Sequence, residues 1–123
     1  MSFERTGAIV VYWSSPYAGR ETQLFAVLGK VIEYGEKLRA AGRIESVRIF
    51  VTKAGAYRDT LMLSGPLDDL TKILTEREFE GLLLEGSLVV QKISIDVWEG
   101  GSPEWLLSGP NAYAETLQLH GIG

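Results

Sequence analysis

Residues 45–64 read ESVRIFVTKAGAYRDTLMLS, and the periodicity of this stretch decides the fold. From Glu45 to Thr52 the side chains alternate. Val47, Ile49 and Val51 fall on one side and Ser46, Arg48, Phe50 and Thr52 on the other, the period of two that a strand imposes. Lys53-Ala54-Gly55-Ala56 interrupts the run, and Tyr57–Ser64 alternates again, with Leu61 and Leu63 against Thr60 and Met62. Two such runs around a short glycine-containing turn predict a hairpin.

On either side of the hairpin the period changes to that of a helix. Upstream, Leu24, Val27, Leu28, Val31, Tyr34 and Leu38 recur at three- and four-residue steps. This stripe predicts a helix from about Arg20 to Ala41, stopped by Gly42. Gly29 and Gly35 inside it each cost about 1 kcal/mol relative to alanine, or mark a close helix-to-sheet approach. Downstream, Gly65-Pro66 ends the strand and Leu67–Leu74 starts a second helix, with Asp68 and Asp69 near its positive N-terminal end. Thr75-Glu76-Arg77-Glu78 has the pattern of a capping box, so the helix is expected to restart there and run to about Leu84.

Short apolar runs complete the order. Ala8–Trp13, bounded by Gly7 and Ser14-Ser15-Pro16, predicts a buried first strand. The last strand is expected from Ser87 to Trp98. Val89, Ile93, Ile95 and Val97 share one side with Gln91; Val90, Lys92, Ser94, Asp96 and Trp98 share the other. The order is strand, helix, strand, strand, helix, strand. With right-handed crossovers this is an α+β, ferredoxin-like βαββαβ fold: a four-stranded antiparallel sheet with two helices on one face. Residues 1–100 are expected to form this domain. Residues 101–123 read as a C-terminal helical extension, with a helix start at Ser102-Pro103 and an amphipathic piece over Ala112–Leu119. Trp105, Leu106, Leu107 and Tyr113 form a small apolar cluster there, suited to packing on the domain or on a partner subunit.

Composition narrows the chemistry. The 123 residues are 46% hydrophobic and 23% charged, an ordinary globular balance that argues for one domain with a core. There is no cysteine, which removes disulfides, thiolate nucleophiles and iron–sulfur ligation. A single histidine, His120, rules out a multi-histidine metal site in one chain. A net charge of −4 argues against a phosphate-neutralising nucleic-acid binder. No apolar run approaches the roughly 20 residues that span a bilayer, and MSFERTG lacks a signal-peptide layout, so a cytoplasmic location without membrane contact is expected.

Two helices cover one sheet face, the one carrying Ile9, Val11, Val47, Ile49, Val51, Leu61, Leu63, Ile93, Ile95 and Val97. The reverse face carries Val10, Tyr12, Arg48, Phe50, Met62, Val90, Lys92, Asp96 and Trp98. A solvated face is mostly polar; one mixing large apolar groups with charges marks a partner or ligand site. Stacking against the same face of a second copy, with sheets roughly 10 Å apart, is the expectation. The alternative is a cover formed by the tail from Trp105 onward.

The segments Gly7–Trp13, the hairpin ending Leu61-Met62-Leu63-Ser64-Gly65, Leu67–Leu84 and Leu88–Trp98 together resemble the dimeric α+β barrel superfamily, in an uncharacterised bacterial branch. The resemblance spans about Gly7–Gly100 and rests on topology and patterning, with no catalytic motif matched. It implies a homodimer whose sheets face each other. Members of that superfamily include cofactor-independent monooxygenases, haem-degrading enzymes, small-molecule isomerases and dehydratases, and proteins without known activity. Fold alone does not select among them.

Two function classes follow. In the first, a homodimeric α+β barrel protein binds or oxidises a small apolar or aromatic molecule, in the manner of a cofactor-independent monooxygenase. Its cavity lies between sheet and helices or at the dimer interface. Tyr12, Phe50, Met62, Asp96 and Trp98 are the expected ligand-binding residues, and Tyr12, Trp13 and Trp98 the aromatic candidates for a pocket wall. In the second, the chain is a non-enzymatic oligomeric interaction module whose second sheet face serves only dimerisation. No catalytic base is assigned, and no cofactor or metal is expected. Histidine is the side-chain type suited to acid–base work near neutral pH, but His120 sits three residues from the end of the sequence. Arg48, Lys92 and Asp96 suit either an anion or ion pairing across an interface. Asp68-Asp69 suits a helix start, and Glu76, Glu78 and Glu80 a solvated helix face. Ser14-Ser15 has no histidine at a hydrolase spacing, and no Gly-rich loop fits a phosphate fingerprint.

Overall fold

A computed structural model describes residues 5–101, 103–104 and 110–122. Its elements are β1 (Thr6–Trp13), α1 (Glu21–Ala40), β2 (Ser46–Phe50), β3 (Asp59–Pro66), α2 (Leu67–Ile73), α3 (Arg77–Ser87), β4 (Ile93–Glu99) and α4 (Pro110–Leu119). The four strands form one antiparallel sheet in the order β2-β3-β1-β4, the α+β ferredoxin-like arrangement expected from the patterning.

Alternation fixes which side chains meet the helices. Ile9, Val11 and Trp13 of β1 and Leu61 and Leu63 of β3 pack with Tyr34 and Leu38 of α1, Leu70 and Ile73 of α2, and Phe79 of α3. The central strands carry this core. The edges do not: Ile49, Ile95 and Val97 share the same parity but remain exposed, and Val51 lies beyond β2 and is exposed as well. The helices are too few to cover a four-strand width, so the apolar face expected to be continuous is closed only over its middle.

Two glycines set how α1 lies. Gly42 adopts φ +74° directly after the helix and ends it. Gly35 faces β2: a Cβ built there would stand 2.8 Å from Val47 Cγ2. It therefore marks the close approach, whereas Gly29 faces open space.

Three expectations are corrected. The last strand begins at Ile93, because residues up to Ser87 continue α3 and the next few cross back to the sheet. In that crossing Tyr17 N–H donates to the Val89 carbonyl, Gln91 N–H to Ser15, and Ser14 N–H to Lys92, so the segment pairs with the loop after β1. Val90 is thereby turned into the helix-side core at 3% exposure rather than onto the reverse face, and Lys92 lies outside the strand, exposed. The capping box is also absent. Glu76, not Thr75, is the N-cap of α3, with no side-chain cap bond. The Thr75 hydroxyl donates back to the Lys72 carbonyl at 3.0 Å, and the Glu76 carboxylate is held by Arg43 instead.

Candidate functional site

The register of the sheet places the open-face residues in cross-strand rows. One row runs Ser46, Ser64, Ala8, Trp98; the next Arg48, Met62, Val10, Asp96; the third Phe50, Thr60, Tyr12, Ser94. The five residues expected to bind a ligand all lie on this face. They do not converge. Phe50 and Trp98 occupy opposite edge strands, separated by about 14 Å at ordinary strand spacing. Both are half exposed, 49% and 50%, whereas Val10 at the centre is 1% exposed. Tyr12 and Asp96 do meet: the phenol donates to Asp96 Oδ2 at 3.2 Å. The Arg58 guanidinium stands 5.2 Å from the Tyr12 ring centroid, a cation–π distance. Trp98 and Met62 border an open depression of 580 Å³ whose floor includes Ala8, Ser46 and Ser64. Arg48 borders it too and makes no hydrogen bond or ion pair among the described residues. The face is a plate with a shallow basin at one end, not a closed pocket.

A second space lies between α1, α3 and the helix-side face of the sheet. It is a crevice of 50 Å³ walled by hydrocarbon, among it Val11, Leu28, Leu63, Phe79 and Leu83. The lining is entirely apolar, although two of its residues, Trp13 and Tyr34, carry buried polar atoms. Trp13 Nε1 is buried with no acceptor, and the Tyr34 hydroxyl is buried beside the Glu76 carboxylate, without a hydrogen bond of good length and angle. Burial pushes the Tyr34 pKa up to about 12, with the charges of nearby Glu76 and Glu78 adding to it. The phenol therefore stays protonated at neutral pH and serves as a donor. Trp13 was legible as a possible pocket wall. Tyr34 was not, because in sequence it is one member of a helical stripe; its only signal is a hydroxyl among aliphatic neighbours.

The remaining candidates separate from both spaces. His120 is exposed at the end of α4. Asp68 and Asp69 occupy the first turn of α2, and Glu76 is paired with Arg43. Among the described residues no acidic or histidine group is clustered for a metal, and no helix is long and apolar enough to cross a membrane. Trp105, Leu106 and Leu107 lie outside the described residues.

No known family profile matches the chain, and no curated protein matches it in sequence. Solved structures do match in shape. A dimeric protein of unknown function with a ferredoxin-like fold from Bacteroides fragilis aligns with TM-score 0.57 at 14% identity, covering 77% of this chain and 96% of its own. A hydroxynitrile lyase from Passiflora edulis aligns with TM-score 0.63 at 9% identity, covering 81% and 97%. A protein provisionally named an antibiotic biosynthesis monooxygenase, from Bacteroides thetaiotaomicron, aligns with TM-score 0.57 at 11% identity, covering 80% and 90%. At such identities the shared property is the fold.

Proposed function

Starting from a ferredoxin-like fold of the kind found in dimeric α+β barrel proteins, we propose that this chain forms a homodimer through its open sheet face. We propose further that it holds a small, flat, largely apolar molecule carrying a hydrogen-bond acceptor between α1, α3 and the sheet. The observation that carries the ligand reading is Trp13 Nε1. A buried N–H without an acceptor costs about 1–3 kcal/mol; the crevice wall is apolar as it stands, so a ligand carbonyl or phenolate oxygen removes that cost once the wall side chains shift to admit it. Tyr34, whose hydroxyl lies beside Glu76, is the other wall residue that carries a donor. As it stands the void admits a water-sized group; a ring enters when Leu28, Leu82 and Leu83, all only partly buried, change rotamer. Were both donors turned towards one oxygen, they would also stabilise an oxyanion as it forms. This is the chemistry a substrate anion needs when it reacts with oxygen without a cofactor, the monooxygenase-like activity, and one of the structures alike in fold is named for such an activity.

In this reading Tyr12, Phe50, Met62, Asp96 and Trp98 line the dimer interface, and any ligand contact they make is to a molecule trapped between the two sheets. We propose that α4 packs on its own domain; the support is Glu115, whose charge helps raise the Arg5 pKa after the larger effects of the Glu99 hydrogen bond and charge.

Calorimetric titration with acetophenone, one ring bearing one carbonyl, and with ethylbenzene, its hydrocarbon match, tests the site. Acetophenone is expected to bind at least about tenfold more tightly, the equivalent of one hydrogen bond, and Tyr34→Phe and Trp13→Phe should each erode that preference. Equal affinity for the two probes, or no saturable binding of either, overturns the ligand site. The small size of the crevice favours the second reading, a non-enzymatic module that only dimerises, and absence of binding in a dimeric protein is its signature.

A further inference from the structure

Resting on the facing-sheet dimer above, we propose the register in which two copies meet. Each open face packs on its twin about a two-fold axis parallel to the strands, so that Arg48 pairs with the partner's Asp96 and each Trp98 enters the basin of the other copy. Arg48, Met62, Val10 and Asp96 lie in one row. The face thus carries a cation at its β2 edge and an anion at its β4 edge.

A self-complementary face meets its copy in two aligned ways. An axis along the strands lays β2 of one copy on β4 of the other and keeps each row on itself. Arg48 then faces Asp96 twice. An axis across the strands lays each strand on itself, so Arg48 faces Arg48 and Asp96 faces Asp96. Like charges brought together in an interface are strongly unfavourable, and opposite charges set register. The charge row selects the first axis.

Shape selects the same one. With the axis along the strands, Trp98 sits over the partner's Ser46, on the floor of the 580 Å³ depression. Across the strands it would sit over Ser94, which does not border that depression. The strand-parallel axis also sets Phe50 over Ser94, large against small, as interdigitating layers require. Arg48 is exposed with no ion pair among the described residues. Asp96 accepts one hydrogen bond from Tyr12, which leaves acceptor capacity for a guanidinium.

The test is sedimentation equilibrium of the full chain over a dilution series, with circular dichroism to confirm folding. Arg48→Asp and Asp96→Arg should each raise the dimer Kd at least about tenfold, and the exchange variant carrying both should return to within about threefold of wild type, as reciprocal charge pairing demands. Single variants with wild-type Kd, or an exchange variant no tighter than the singles, overturn the register. If Met62→Asp dissociates the wild-type dimer while the charge series is flat, the facing-sheet reading stands and the register alone falls. A monomeric wild type overturns both.

Discussion

Tyr34 shows how one atom can matter more than the stripe that carries it. Its ring belongs to the core beside Leu38 and Leu63, and its hydroxyl lies beside the Glu76 carboxylate without a hydrogen bond of good geometry. Deleting the oxygen should therefore cost little: Tyr34→Phe is expected to change stability by no more than about 1 kcal/mol in urea titrations. The same burial has a pH signature. An unfolded tyrosine ionises near 10, whereas Tyr34 in the folded protein holds its proton to about 12. Protons are then lost from the unfolded state first, so this residue lowers stability as pH rises from about 10 towards 12 and has no differential effect at pH 7. Tyr57, raised by its hydrogen bond to Asp59, acts in the same direction in both chains. The difference between wild type and Tyr34→Phe isolates Tyr34: the variant should lose less stability over that range in urea titrations. Parallel declines would show that Tyr34 is hydrated and not a confined donor.

Elements meet through contacts that periodicity hints at but cannot complete. The hairpin, α1 and its stop at Gly42 were legible because alternation, stripe and left-handed glycine each have a local cause. Val90 was not, because which way a residue points after Ser87 depends on pairing with Ser14–Tyr17, a contact from the far end of the chain. The Thr75–Glu78 pattern misled because the Thr75 hydroxyl donates back to Lys72 and α3 starts one residue later, at the N-cap Glu76, whose carboxylate pairs with Arg43. That pair ties the turn after α1 to the start of α3. Its hydrogen bond from Arg43 lowers the Glu76 pKa, so it stabilises the fold above the ordinary glutamate range and the contribution is lost as pH falls through the lowered value. Arg43→Ala should cost under about 1 kcal/mol at pH 7, since both side chains are partly exposed, and progressively less as pH falls through the lowered value. The Gly35 contact is less forgiving. Gly35→Ala gains about 1 kcal/mol of helix propensity but drives a methyl into Val47, an overpacking that costs about 1–3 kcal/mol. A net loss is expected. It should vanish when Val47→Ala opens the space, so the double-mutant cycle reads a coupling of about 1 kcal/mol or more. Additive losses would mean that α1 simply slides away from β2.

For the whole molecule the decisive fact is that its apolar residues sit on two sheet faces while α1, α2 and α3 pack on one of them. The sequence already showed the imbalance, since Val10, Tyr12, Phe50, Met62 and Trp98 alternate against an equally apolar set. What it could not show is their spread. Only the strand order separates Phe50 from Trp98 by the width of the sheet, and that separation turns an expected pocket into a plate. A plate with half-exposed aromatic edges is relieved by a second plate, and shape-alike proteins are described as dimeric. The two faces should then respond differently to the same insult. Leu63→Asp places a carboxylate among fully buried neighbours of the helix-side core and should abolish folding. Phe50→Asp and Met62→Asp place it on the open face, where a lone chain can hydrate it. Each should keep the circular dichroism spectrum while raising the dimer Kd by about 100-fold or more, because association would then bury an unpaired charge. Light scattering across a dilution series reads the outcome. If the open-face variants unfold as Leu63→Asp does, that face is part of the monomer's own core. If they stay folded and dimeric, the copies meet elsewhere, and the half-exposed aromatics await a different partner.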